Sequence, residues 1–277
     1  VRVLAAGLAA RGFTRGMHLA VVGDNRPRLY WAQLATQALG GIPVPFYQDA
    51  PAPEMVYVFQ NAEIEFAVVE DQEQADKLFE ILPQCPKLKH IFYDDPRGFR
   101  HYRREELSSY ESLREEGAAR DQAHPGFLEE SVALGKGSDT AIMLYTSGTT
   151  GNPKGVVLSY DNLVHTSRAY AEFEGLRDDD EVLAYLPMAW IGQNLFSYAQ
   201  WLVTGFRINC PESSETVITD MREIGPTYYF APPRVLEALL TQVTIRMEDA
   251  GAVKRWLFRH FMEVARRVGA RILDGQP

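Results

Sequence analysis

Cysteine is scarce. Only Cys85 and Cys210 occur in 277 residues, far apart and with no Cys-x-x-Cys or histidine partner at metal-ligand spacing. That argues against a disulfide scaffold and a zinc module and predicts two inert thiols in a reducing, cytoplasmic setting. The six histidines, at 18, 90, 101, 124, 165 and 260, show no metal spacing either, so His165 is read as structural. No uninterrupted apolar stretch reaches the roughly 18 residues of a bilayer span. The opening run Val1 to Gly12 has no basic head before its apolar residues, so it reads as an amphipathic helix and not as a signal peptide. It also lacks an initiator Met, and the expectation is a chain that begins inside a longer protein. Positive charge is in deficit: 28 Lys and Arg against 37 Asp and Glu leave a net charge of −9, which argues against a dedicated nucleic-acid binder.

What is present is a chain rich enough in apolar residues, at 46%, to bury one large or two ordinary domains. Short apolar runs alternate with helical patterns. Leu19 to Val22 reads as a buried strand, Asp24 or Asn25 as a cap for a helix carrying Leu29, Ala32, Ala35 and Leu39, and Ile42 to Val44 as the next strand. Strand, helix, strand with short joints predicts a parallel sheet covered by helices. The alternation continues with a helix over 53–60, a strand over 66–69, a helix over 72–82 and a strand over 90–92. Residues 94–130 are charged and read as a surface excursion with a short helix near 109–116. Beyond them the same reading gives strands at 140–145, 155–158, 182–185, 207–209 and 227–230, with helices at 160–173, 192–203 and 214–222. The expected organisation is a first α/β subdomain over 1–130 and a second over 131–277.

One segment carries chemistry. Residues 145–156 read Tyr-Thr-Ser-Gly-Thr-Thr-Gly-Asn-Pro-Lys-Gly-Val, with hydroxyls at Thr146, Ser147, Thr149 and Thr150, glycines at Gly148, Gly151 and Gly155, and a cation at Lys154. Glycine lets successive N–H groups turn toward one anion. At about 4 Å and an effective dielectric near 20 the lysine is worth roughly 4 kcal/mol against a phosphate oxygen, several times a neutral hydrogen bond. A Walker A loop is excluded: counted from Gly148, its Gly-Lys pair would fall on Pro153 and Lys154, and Gly155 stands where a hydroxyl is needed. The kinase spacing Gly-x-Gly-x-x-Gly is absent too.

Position by position, 145–156 resembles the phosphate-binding signature of the adenylate-forming superfamily of acyl-CoA synthetases, luciferases and peptide-synthetase adenylation domains. Leu186-Pro-Met-Ala-Trp190, Gly225 to Glu237 and Phe-Tyr-Gln-Asp at 46–49 are similar to segments of its long-chain acyl-CoA synthetase branch. The resemblance implies part of the large α/β domain of that fold. It implies fatty acid, ATP and coenzyme A as substrates, and Mg2+ near Thr146. Ser147 to Thr150 with Gly151 and Gly155 would surround the phosphates, Lys154 would act as the loop cation, and Met188, Trp190, Gly192 and Pro232 would line the acyl pocket. Trp190 departs from the histidine many relatives carry, and it reads equally as a tunnel wall or a core aromatic. The superfamily's later glutamate, aspartate and C-terminal lysine segments are not in the sequence, so a front portion with little activity of its own is expected. Two other classes stay open: a phosphotransferase with an unusual loop, and a nucleotide- or acyl-binding module without turnover.

Outside the loop, Val253, Leu257, Phe261, Val264, Val268 and Ile272 recur at helical spacing among Lys254, Arg255, Arg259, Arg266, Arg267 and Arg271. Such a stripe packs on the protein's own core or lies on an anionic membrane. The acidic run Asp178 to Glu181 reads as a solvated loop.

Overall fold

The computed structural model describes residues 1–146 and 151–275. They fall into two compact units, Val1–Tyr228 and Tyr229–Pro277. The first unit opens with α1 (Arg2–Ala10), β1 (His18–Val22), α2 (Pro27–Ala38), β2 (Ile42–Phe46), α3 (Ala52–Asn61), β3 (Phe66–Val69), α4 (Gln72–Ile81), β4 (His90–Tyr93), β5 (Leu107–Ser109) and α5 (Tyr110–Ala123). The five strands make one parallel sheet in the order β2-β1-β3-β4-β5. Period-2 alternation explains how both faces are covered. Ala20, Val22, Ala67, Val69 and Ile91 point to a core shared with α3 and α4. Leu19, Val21, Phe66, Val68 and Phe92 point to the opposite core, shared with α1, α2 and α5. On that face α1 and α5 cross so closely that a side chain at Gly117 would strike the Val3 carbonyl.

Residues 94–130 depart from the expected excursion. They supply the fifth strand and a helix of 14 residues whose Tyr110 and Leu113 are buried in the second core. The cap of α2 also differs. Arg26 is its N-cap and makes no side-chain cap bond, because Asn25 is drawn elsewhere: its amide donates to the Leu186 carbonyl at 2.8 Å and its Oδ1 accepts from the Tyr30 hydroxyl at 2.5 Å.

After α6 (Phe127–Ala133) come β6 (Thr140–Thr146) and β7 (Lys154–Ser159), paired antiparallel as a hairpin. A capping box between Ser159 and Asn162 starts α7 (Tyr160–Glu174) where the sequence predicts. A parallel pair, β8 (Glu181–Leu183) and β9 (Arg207–Asn209), brackets a helical run made of α8 (Ile191–Gln193), a π-helical turn Asn194–Ala199 and α9 (Gln200–Thr204). α10 (Val217–Ile224) follows, and the strand expected at 227–230 is reduced to one bridge between Val182 and Tyr228.

The boundary expected near residue 130 lies inside this unit. Gln37 of α2 donates to the Ala141 carbonyl at 2.8 Å and its Oε1 accepts from Tyr198 at 2.5 Å, while Met188 and Tyr198 share a core with Leu29 and Tyr30. The second unit consists of α11 (Pro233–Glu248) and α12 (Ala252–Leu273). Neither helix contains a buried residue, and Val253, Trp256, Phe261 and Ile272 are exposed. Among the described residues no helix is long and apolar enough to cross a membrane.

Candidate active site at the glycine-rich hairpin

The hairpin places the two ends of the glycine-rich loop side by side. In its register Thr146 is directly opposite Lys154, and Tyr145 is opposite Gly155. The residues predicted to have the hydroxyl and the cation nearest the phosphates therefore meet at the mouth of the loop, both exposed to solvent. Ser147, Gly148, Thr149 and Thr150 lie outside the described residues. Gly151 has φ +143° with open space where a Cβ would stand, a conformation that strains any other residue. Gly155 serves packing: a side chain there would press on the Tyr145 ring and the Met143 sulfur at 3.2 Å. The base of the hairpin is fixed by Tyr145, whose hydroxyl donates to Asn61 Oδ1 of α3 at 2.6 Å.

A cavity of about 290 Å³ opens beside Thr146. Tyr145, Thr146 and Pro153 line it from the hairpin, Phe46 and Tyr47 from the end of β2, Glu54 and Met55 from α3, and Ala189 from the 186–190 turn. Three segments separated by about a hundred and by about forty residues thus converge on one space of the size small-molecule sites use, roughly 300–1,000 Å³. Burial pushes the phenols of Tyr47 and Tyr145 up, with Asp49 adding to the first and Tyr57 to the second. Both remain neutral O–H groups at neutral pH. Glu54 puts a carboxylate on the α3 wall, so an anion is favoured on the Lys154 side and not there. A larger cavity, about 560 Å³ beside α2 and α6, is lined by none of the predicted site residues.

The predicted acyl-pocket residues separate. None of Met188, Trp190, Gly192 and Pro232 lines the cavity; the 186–190 turn reaches it through Ala189, which was not among them, and Met188 is buried in the core with Tyr30 and Tyr198. Trp190 is half-buried and closes the turn by donating its backbone N–H to the Pro187 carbonyl at 2.9 Å. Its ring lies over Gly192, where a Cβ would collide with it. Pro232 caps α11 in the second unit. Sequence reasoning did not assign Tyr47, Glu54 or Met55 to the site; the similarity at 46–49 was a signal for Tyr47 alone.

The fold agrees with known proteins. The AMP-binding enzyme family matches residues 1–271. The chain belongs to that family. It is 26% identical over 272 residues to the long-chain-fatty-acid–CoA ligase ACSBG1 of Rattus norvegicus, covering 95% of this chain and 37% of the relative. To ACSBG2 of Xenopus laevis it is 29% identical over 279 residues, covering 97% and 36%. The chain therefore spans a little over a third of the length of these relatives. Among solved structures, ATP-bound MatB from Rhodopseudomonas palustris is 25% identical with a TM-score of 0.61, over 80% of this chain and 41% of that one. The anthranilate CoA ligase AuaEII in complex with anthranoyl-AMP shares the fold at a TM-score of 0.70 and 19% identity, over 83% and 42%.

Proposed function

We propose that this chain carries the phosphate loop and part of the acyl pocket of an acid–thiol ligase. The reaction converts a long-chain fatty acid to an acyl-adenylate, releasing pyrophosphate, and then to an acyl-CoA, releasing AMP. The observation that carries this reading is the cavity shared by the feet of the loop and the 186–190 turn, which supports a polyphosphate site beside an apolar wall. The relatives named as long-chain-fatty-acid–CoA ligases support the acyl class.

On this reading the carboxylate attacks the α-phosphorus of ATP. The protein's part is positioning and charge stabilisation, because the hairpin offers a cation and hydroxyls but no general base. Lys154 neutralises phosphate charge, Gly151 gives the loop its backbone path, and Thr146 Oγ orients the substrate. For Mg2+ the described residues fit a shared arrangement: they offer the Thr146 hydroxyl and no cluster of three or more acidic, histidine or cysteine groups. The ion would be held largely by the polyphosphate itself, where it would neutralise charge. Coenzyme A would enter as the second substrate.

Equilibrium binding tests the reading. ATP should bind the chain, and a non-hydrolysable acyl-adenylate analogue should bind more tightly with a long acyl chain than with acetyl. Failure to bind either ligand overturns the reading. ATP binding without acyl dependence favours a nucleotide-binding module, and acyl-dependent ADP in place of AMP would indicate a phosphotransferase. A peripheral contact with anionic lipid fits α12, where Lys254, Arg255, Arg266 and Arg267 accompany exposed Val253, Trp256 and Phe261. Liposome flotation that survives charge reversal at Arg266 and Arg267 would remove it.

A further inference from the structure

We propose that a buried amide network running from α2 to the π-helical turn holds the 186–190 turn in position, so that residues never touching the substrate set the wall of the acyl pocket. The proposal rests on the acyl-pocket reading above.

The turn has no strand partner for its carbonyls, and buried carbonyls need donors. The backbone N–H groups of Gln193 and Asn194 reach the Trp190 carbonyl at 3.1 and 3.3 Å, and side-chain amides supply the other donors. Asn25 Nδ2 donates to the Leu186 carbonyl at 2.8 Å, and Asn194 Nδ2 donates to the carbonyls of Met188 at 2.7 Å and Trp190 at 2.9 Å. These two residues bracket Ala189, the member of the turn on the cavity wall. The donors are themselves held. Asn25 Oδ1 accepts from the Tyr30 hydroxyl, whose oxygen accepts from Gln193 Nε2 at 2.7 Å, and Asn194 Oδ1 accepts from Gln33 Nε2 at 3.3 Å. Asn25, Gln33, Gln193 and Asn194 are 4%, 0%, 1% and 2% exposed, so water does not compete for these bonds.

Stability alone does not account for amides here. Oε1 of Gln33 and Oε1 of Gln193 are buried and accept no hydrogen bond. An aliphatic side chain of similar size would avoid that penalty. What the amides provide is direction: they tie three alternate carbonyls of an irregular turn to α2, a helix seated on the central sheet. The π-helical turn opens at Asn194, the residue making two of the bonds, in keeping with the placement of π-bulges at functional sites.

The experiment pairs hydrogen exchange by mass spectrometry with binding of a fluorescent conjugated-polyene fatty acid. In Asn194→Leu, exchange in peptides covering 186–193 should rise about tenfold while β1 and β3 stay protected, and probe affinity should fall about tenfold, the loss of one or two net hydrogen bonds. In the double variant Asn194→Leu/Gln33→Leu, thermal stability should recover because the stranded glutamine is gone, whereas exchange and affinity should stay altered. Recovery of affinity together with stability would overturn the proposal, as would unchanged exchange at 186–193 in Asn194→Leu. Should Asn194→Leu fail to fold, Asn25→Ser removes the Leu186 bond and the acceptor of the Tyr30 hydroxyl while leaving both Asn194 bonds in place, and it must give the same pattern in milder form, or the proposal fails. If the unaltered chain binds no fatty-acid probe, the acyl reading fails, and the exchange data alone decide whether the network positions the turn.

Discussion

The parallel sheet and the glycine-rich hairpin are both built from short strands, yet they are built for opposite ends. In β1 and β3 every residue from Leu19 to Val22 and from Phe66 to Val69 is buried, so the strands are read on both faces by helices. In β7 the first four residues are exposed, including Lys154, Val156 and Val157. The sheet is defined by packing and tolerates few changes of volume. The hairpin is held at its base by Tyr145 and leaves Thr146 and Lys154 exposed.

The contrast can be broken by mutation, most severely in the sheet. Phe66, 2% exposed and edge-on to Phe13 at 5.1 Å, should cost about 3–5 kcal/mol when changed to Ala, as measured by urea unfolding. At the hairpin, Lys154→Ala should leave unfolding within about 0.5 kcal/mol of the original, as surface changes do. In an active ligase carrying this loop it should cost roughly 2–4 kcal/mol of transition-state stabilisation in an adenylation assay. A stability loss without a rate loss would reverse the assignment of the two regions. Alkaline pH should act on the packed part. Burial pushes Tyr160 from 10.0 up to about 12 and Cys210 from 9.0 up to about 12, partly opposed by Arg15 and Arg26 respectively. The folded state then keeps protons that the unfolded chain releases, so stability should decline as pH rises from 9 toward 12, in melts at stepped pH. Smallest of all, Val157→Thr on the exposed strand should shift the melting midpoint by less than about 1 °C per few tenths of a kcal/mol lost, inside the usual scatter for surface sites.

The same contrast explains what the sequence made legible. β3 falls on the residues its apolar run predicts, because buried strands announce themselves. β5 does not: Leu107, Ser108 and Ser109 form a half-buried edge with no run to read, and α5 is too charged for its buried Tyr110 and Leu113 to stand out. Asn25 looks like a helix cap because its sequence neighbourhood is that of a cap, and only the distant Leu186 carbonyl draws it away. In the site, the meeting of Thr146 and Lys154 follows from the motif as a strand-loop-strand. Met188 and the cavity wall from α3 depend on how β2, α3 and the 186–190 turn come together, which no local pattern encodes. The π-helical turn leaves no trace in periodicity.

The hairpin register has an evolutionary corollary. Seven residues, 147–153, separate Thr146 from its partner, and it is their number that keeps the two ends matched. A slip of β7 by one position would face Thr146 with Gly155 and send every side chain of the strand to its other face. The lysine's address is thus kept by counting rather than by contacts, and insertions or deletions in the loop should be rarer among functional descendants than substitutions at its polar positions.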